Sequence, residues 1–150
     1  MKSFEALIQW LYLGRVVLVS STSAETLSTI IEFARLADMC GVTGMESELA
    51  QRIKDIIVNL LPRPPLKGFP HGSNNTRHLT SRHIASAASL PAKHPVRGMI
   101  ARASVEGLLS SENHQFAEKT QKHPKFGADL LLEVRVVLKR LALTSGVSSI

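Results

Sequence analysis

FEALIQWLYLGRVVL, residues 4–18, is the stretch that decides how this chain is read. Phe4, Leu7, Ile8 and Leu11 recur at helical spacing with Trp10 beside them, so the segment opens as an amphipathic helix. Gly14 stops that helix. The residues that follow, RVVLV (Arg15 to Val19), are too β-branched to favour its continuation and predict a short strand. A helix–turn–strand unit of this kind normally sits inside a domain, behind a structured lead-in, yet here it begins three residues from Met1. Trp10 is expected to be buried against Leu27, Ile31 or the helix that starts near residue 44.

Working outward, Thr22 and Glu25 have the spacing of a capping box, in which each side chain satisfies an orphan amide at the helix start. The helix they open turns Leu27, Ile30, Ile31, Ala34 and Ala37 to one side, and Gly41 suits a left-handed terminator. Thr43 and Glu46 repeat the pattern. The second helix carries Met45, Leu49, Ile53, Ile56 and Leu60 inward and ends at Pro62. Only about three residues separate these helices, so they should pack as an antiparallel or steeply crossed pair.

The stretch PRPPLKGFPHGSNNT (62–76) has no periodicity and reads as a linker of partly polyproline character. HIASAASLP then predicts a short helix broken at Pro91. Pro95 suits the first turn of the next helix, which carries Val96, Met99, Ile100, Ala103 and Leu108. A polar stretch from Ser110 to Lys122 precedes a last helix with an apolar stripe of Phe126, Leu130, Val134, Val137, Leu138 and Leu141. Arg135, Lys139 and Arg140 occupy its other face. The expected organisation is a first unit over 1–61, a linker over 62–80, a basic helical extension over 81–143 and a frayed tail over 144–150.

Composition bounds the function. At 150 residues, 44% apolar and with a mean hydropathy of +0.07, the chain suits a globular protein rather than a disordered one. Cys40 is the single cysteine, which excludes an internal disulfide framework and favours a reducing, intracellular home, cytoplasmic or nuclear. The sequon Asn74-Asn75-Thr76 has no meaning without a secretory route. Glu5, Gln9 and Arg15 interrupt the opening apolar stretch, so it is read as folded chain and not as a signal peptide. Charge is uneven. Residues 1–61 hold five Lys/Arg against seven Asp/Glu, whereas residues 62–150 hold thirteen against five and all six histidines.

Catalytic chemistry finds no residues. The nine glycines form no phosphate-cradling loop, and His78 and His83 are five apart, off a common helical face. Cys40 falls near a helix C-terminus, where the dipole opposes a thiolate, so it is expected as a small core residue. The reading is therefore no enzyme, no metal and no cofactor. The basic second half allows a nucleic-acid-binding role, although Phe116 and Phe126 are its only aromatics after the linker.

The stretches FEALIQWLYLGRV and ETLSTIIEFARLADMCGVTGMESELAQRI together resemble the back half of a BTB/POZ domain. The matching residues are Trp10, Tyr12, Gly14 and Val16, then Leu36, Ala37 and Asp38, then Met45 and Leu49. The Trp-Leu-Tyr form, with SLPAKHPVRGMI and HPKFGADLLLEV further on, looks most like fungal BTB proteins. The resemblance covers about the first 61 residues. It implies a mainly α fold, with a truncated α+β remnant containing one short strand and a helical C-terminal extension. It also implies a non-enzymatic protein–protein interaction module, an adaptor for a cullin-3 ubiquitin ligase or a regulatory complex. BTB-type or cullin-type partners would meet Tyr12, Gly14 and Arg15. No membrane or small-molecule substrate is implied. The front of the family's fold has no counterpart here. The apolar faces of Phe4, Ile8, Leu27, Ile30, Ile31, Leu49, Ile53 and Ile56 must then bury against each other, against the C-terminal helices or against another chain, and the chain is expected to be molten, aggregation-prone or partner-dependent.

Overall fold

The helix that Thr22 opens forms as its periodicity predicts. In the computed structural model, which describes residues 1–19, 22–58, 79–110 and 116–144, this helix spans Ser23–Met39. The full order is α1 (Lys2–Leu13), α2 (Ser23–Met39), α3 (Glu46–Val58), α4 (Ser81–Ala88), α5 (Pro95–Ser110), α6 (Ala117–Lys122) and α7 (Pro124–Thr144). The described residues are mainly helical and contain no strand.

At the start of α2 the Thr22 hydroxyl accepts the Glu25 amide proton at 3.2 Å. Leu27, Ile30, Ile31, Ala34 and Ala37 are all buried, together with Phe33. The helix ends in a Schellman turn: Val42 N–H donates to Ala37 O at 2.9 Å and Gly41 N–H to Asp38 O at 3.1 Å. Gly41 supplies the left-handed φ of 66° that this turn requires. Val42 packs on the core and Cys40 is left exposed, which corrects the expectation that Cys40 is a core residue.

α1 leans on α2, α2 also packs on α3 and α4, and α5 is enclosed by α3, α4 and α7. One core therefore joins both ends of the chain, with Leu7, Ile30, Ile53, Ile84, Ile100 and Phe126 all in it. The apolar faces of α2 and α3 are thus covered by each other and by α4 and α5 of the second unit.

Four local expectations change. Residues 15–19 form no strand: the Val17 amide donates to Gln9 Oε1 at 2.8 Å, and Arg52 Nη1 donates to Val16 O at 2.7 Å. β-Branched residues supply only a local preference, and a strand also needs a neighbour to pair with. On α1, Ala6 and Leu7 are buried and Trp10 half-buried, while Phe4, Ile8 and Leu11 face outward. Thr43 lies too early to cap α3. Glu46 instead accepts the Gly44 amide proton at 2.8 Å, and Ile57 is buried where Ile56 is half-buried. The stretch expected to be only polar contains α6, and Leu138 on α7 is exposed.

The linker over 62–78 and the tail from 145 lie outside the described residues, as do Leu60 and Pro62. Leu79 and Thr80, expected as the end of that linker, already belong to the fold: Leu79 is buried and Thr80 caps α4.

Two buried polar groups tie the helices together. Arg97 on α5, its side chain 3% exposed, donates to Asp129 of α7, to Leu90 O at 3.0 Å and to Lys125 O at 2.7 Å. All three bonds leave a charged fork in the interior, so the desolvation cost of the guanidinium is offset by a carboxylate and two carbonyls. His83 on α4 completes a capping box with Thr80: its Nδ1 accepts the Thr80 amide proton at 3.1 Å. Nε2 therefore carries the proton of the neutral ring, facing Ser28 Oγ at 2.8 Å and Ala24 O at 3.2 Å on α2. Burial holds the His83 pKa below its usual value and nearby Arg82 adds to this, against the opposing pull of the Ala24 carbonyl.

Candidate partner-binding surface

Tyr12, Gly14 and Arg15 come together at the C-terminal end of α1 and in the turn after it, and all three are exposed. The turn is built locally. Gly14 adopts φ 61°, and its amide donates to Trp10 O at 2.9 Å, closing the last turn of the helix. Tyr12 is 82% exposed, so its ring offers apolar area and its hydroxyl a hydrogen bond to whatever approaches.

An arc of side chains extends from Tyr12 along the helix. Phe4, Ile8, Leu11 and Tyr12 follow the spacing i, i+4, i+7, i+8 and therefore line one side of α1. Phe4 is 59% exposed, Leu11 56% and Ile8 38%. The adjoining side, Ala6, Leu7 and Trp10, is the one that meets the core. Trp10 is half-buried and its ring lies beside Gly44, at the turn between α2 and α3. α1 is thus apolar over a wider arc than α2 covers. Beyond the turn, Val16 is buried while Val17 and Val19 are exposed beside Lys2, Glu5 and Gln9, on another side of α1.

Charge around this surface is light. Lys2 and Glu25 form an exposed pair at 3.8 Å, of a kind that contributes little. Arg15 makes no ion pair among the described residues, which leaves one cation at the end of the apolar arc. The arrangement offers recognition by burial with a polar tip at one end.

No three His, Cys, Asp or Glu among the described residues converge to hold a metal. No helix among them is long and apolar enough to cross a membrane. His83, which the sequence offered only as an unpaired histidine, is a structural cap, and His94 caps α5 through its Nδ1, 3.2 Å from the Val96 amide. His78 and His71 lie outside the described residues.

The outward direction of Phe4, Ile8 and Leu11 was hidden in the sequence, because an apolar stripe does not say which neighbour it meets. Comparison with protein-family models, with curated proteins and with solved structures gives no match for this chain.

Proposed function

We propose that this chain is a non-enzymatic protein–protein interaction module of the BTB/POZ type it resembles. In this reading it acts inside the cell, in cytoplasm or nucleus, as an adaptor for a cullin-3 ubiquitin ligase or a regulatory complex. The observation that supports the reading is the uncovered apolar arc of α1, with Tyr12, Gly14 and Arg15 at its end. Burying each such side chain fully against a partner contributes about 1.5–3 kcal/mol, so Phe4, Ile8, Leu11 and Tyr12 form a cluster of the size that anchors interfaces.

Titration of the full chain with a purified cullin-3 N-terminal domain tests this. Saturable binding is expected, weakened about tenfold or more by Leu11→Glu and by Tyr12→Ala. Absence of saturable binding, or variants that bind like the parent, would remove the cullin reading.

A second reading, a basic helical nucleic-acid-binding protein, has Arg135 and Lys139 exposed on α7 in its favour. Against it, Arg97, Arg102 and Lys122 from the same basic half are held by Asp129, Glu133 and Glu118. Binding on this reading is non-specific and salt-sensitive, with a Kd of about 10⁻⁴–10⁻⁶ M near physiological salt. A preference for one duplex that survives high salt would put this reading first.

A further inference from the structure

A cleft of about 520 Å³ lies between α3, α5 and α7, on residues the α1 surface does not use. Its apolar lining is low, made by Ala50, Gly98, Met99 and the exposed Leu132, with Ala101 buried beneath. Gly98 is unusual there. It sits within α5 at an ordinary helical φ, and apart from its chain neighbours and its own helix backbone no atom among the described residues lies within 4 Å of where a Cβ would stand. Glycine weakens a helix relative to alanine, and nothing in the described chain fills the space it leaves. A backbone arriving from outside would use that space.

The charge of the cleft is as telling. Two carboxylates line the α7 wall, but Asp129 is held by Arg97 and Glu133 by Arg102. Lys54 of α3 and Lys93 of the turn before α5 also line the cleft, and neither has a carboxylate partner among the described residues. The surplus charge is therefore positive. The rest of the chain is poorly suited to supply the complement. Residues 59–78 carry Arg63, Lys67 and Arg77 and no Asp or Glu, residues 145–150 carry none either, and residues 111–115 carry the single carboxylate Glu112.

We propose that this groove docks an acidic amphipathic helix from another protein. The apolar stripe of that helix lies over Gly98 and Met99, and its flanking carboxylates meet Lys54 and Lys93. A helix fits better than a strand because the walls are helical and offer no sheet edge, so the guest must satisfy its own backbone. It fits better than a nucleic acid because the cleft is lined by no Phe, Tyr or Trp on which a base could stack. The inference does not rest on the BTB-type reading, which concerns α1.

Fluorescence anisotropy of the full chain with labelled peptides of about fifteen residues tests the proposal. Three peptides carry leucines in different helical registers with flanking glutamates, and matched controls replace every glutamate by lysine. A duplex and a single-stranded oligonucleotide are run alongside. Saturable binding of at least one glutamate peptide is expected, weakened about tenfold or more both by Lys54→Glu with Lys93→Glu and by Gly98→Leu. Thermal melts establish that each variant is folded, and the lysine pair carries the test if Gly98→Leu is not. The proposal is overturned by the absence of saturable binding, by equal binding of the lysine peptides, by an oligonucleotide binding more tightly, or by affinity that the variants leave unchanged.

Discussion

α5 and α1 are both apolar helices of one core, and they are used in opposite ways. α5 is buried around more than half of its circumference, with Val96, Ile100, Ala101, Ala103 and Val105 enclosed and Arg97 among them. α1 buries a narrow edge, Ala6 and Leu7 with part of Trp10, and leaves the wider apolar arc outside. Apolar content alone does not decide which helix becomes interior. The number of neighbouring helices does: three pack around α5, whereas α1 leans on α2.

The contrast breaks most visibly at Arg97. Arg97→Met leaves Asp129 without its partner and two carbonyls without their donor, and should cost about 3–5 kcal/mol in urea unfolding. A loss below about 1 kcal/mol, the range of exposed pairs, would mean that the α5 interior is not locked by this residue. Apolar truncations should separate the two helices in the same way. Ile100→Ala on α5 should cost about 2–5 kcal/mol, whereas Ile8→Ala on α1, at 38% exposure, should cost well under half of that. Similar losses at the two sites would erase the distinction.

How much of this was legible depended on whether the deciding contact was local. The buried side of α2 and the Gly41 terminator were readable because periodicity and a helix-ending glycine act within a few residues. The strand over Arg15–Val19 was misread because β-branching gives a preference and the pairing partner is remote. Arg97 was invisible for a related reason: arginine is normally a surface residue, and only Asp129, 32 positions away, makes its burial tolerable. Of the candidate site, the clustering of Tyr12, Gly14 and Arg15 was readable from their adjacency. The exposed arc of Phe4, Ile8 and Leu11 was not, since it depends on which side of α1 meets α2.

The polar seam between α2 and α4 adds a pH dependence to the enclosed half. His83 and His94 both titrate below their usual value, mainly through burial, so the unfolded chain binds their protons first as pH falls. Their contribution is complete above about pH 6.5 and is lost progressively below it. Urea midpoints should drop between pH 7.5 and pH 5.5, and His83→Gln should flatten that slope. An unchanged slope in the variant would assign the dependence elsewhere.

A smaller, opposite effect belongs to Gly98. With open space at its Cβ position and a helical φ, Gly98→Ala should stabilise the chain by about 0.5–1 kcal/mol, readable as a higher Tm. A lower Tm would show that the groove floor is closed.

The central claim is that the outer arc of α1 is surplus to the fold and available to a partner. Urea unfolding of the Phe4→Ser, Leu11→Ser double variant beside the parent tests it most directly. The expected result is a midpoint and slope within error of the parent, since exposed sites shift stability by no more than about 0.5 kcal/mol. A loss of several kcal/mol would contradict the claim, because the arc would then be holding the chain together.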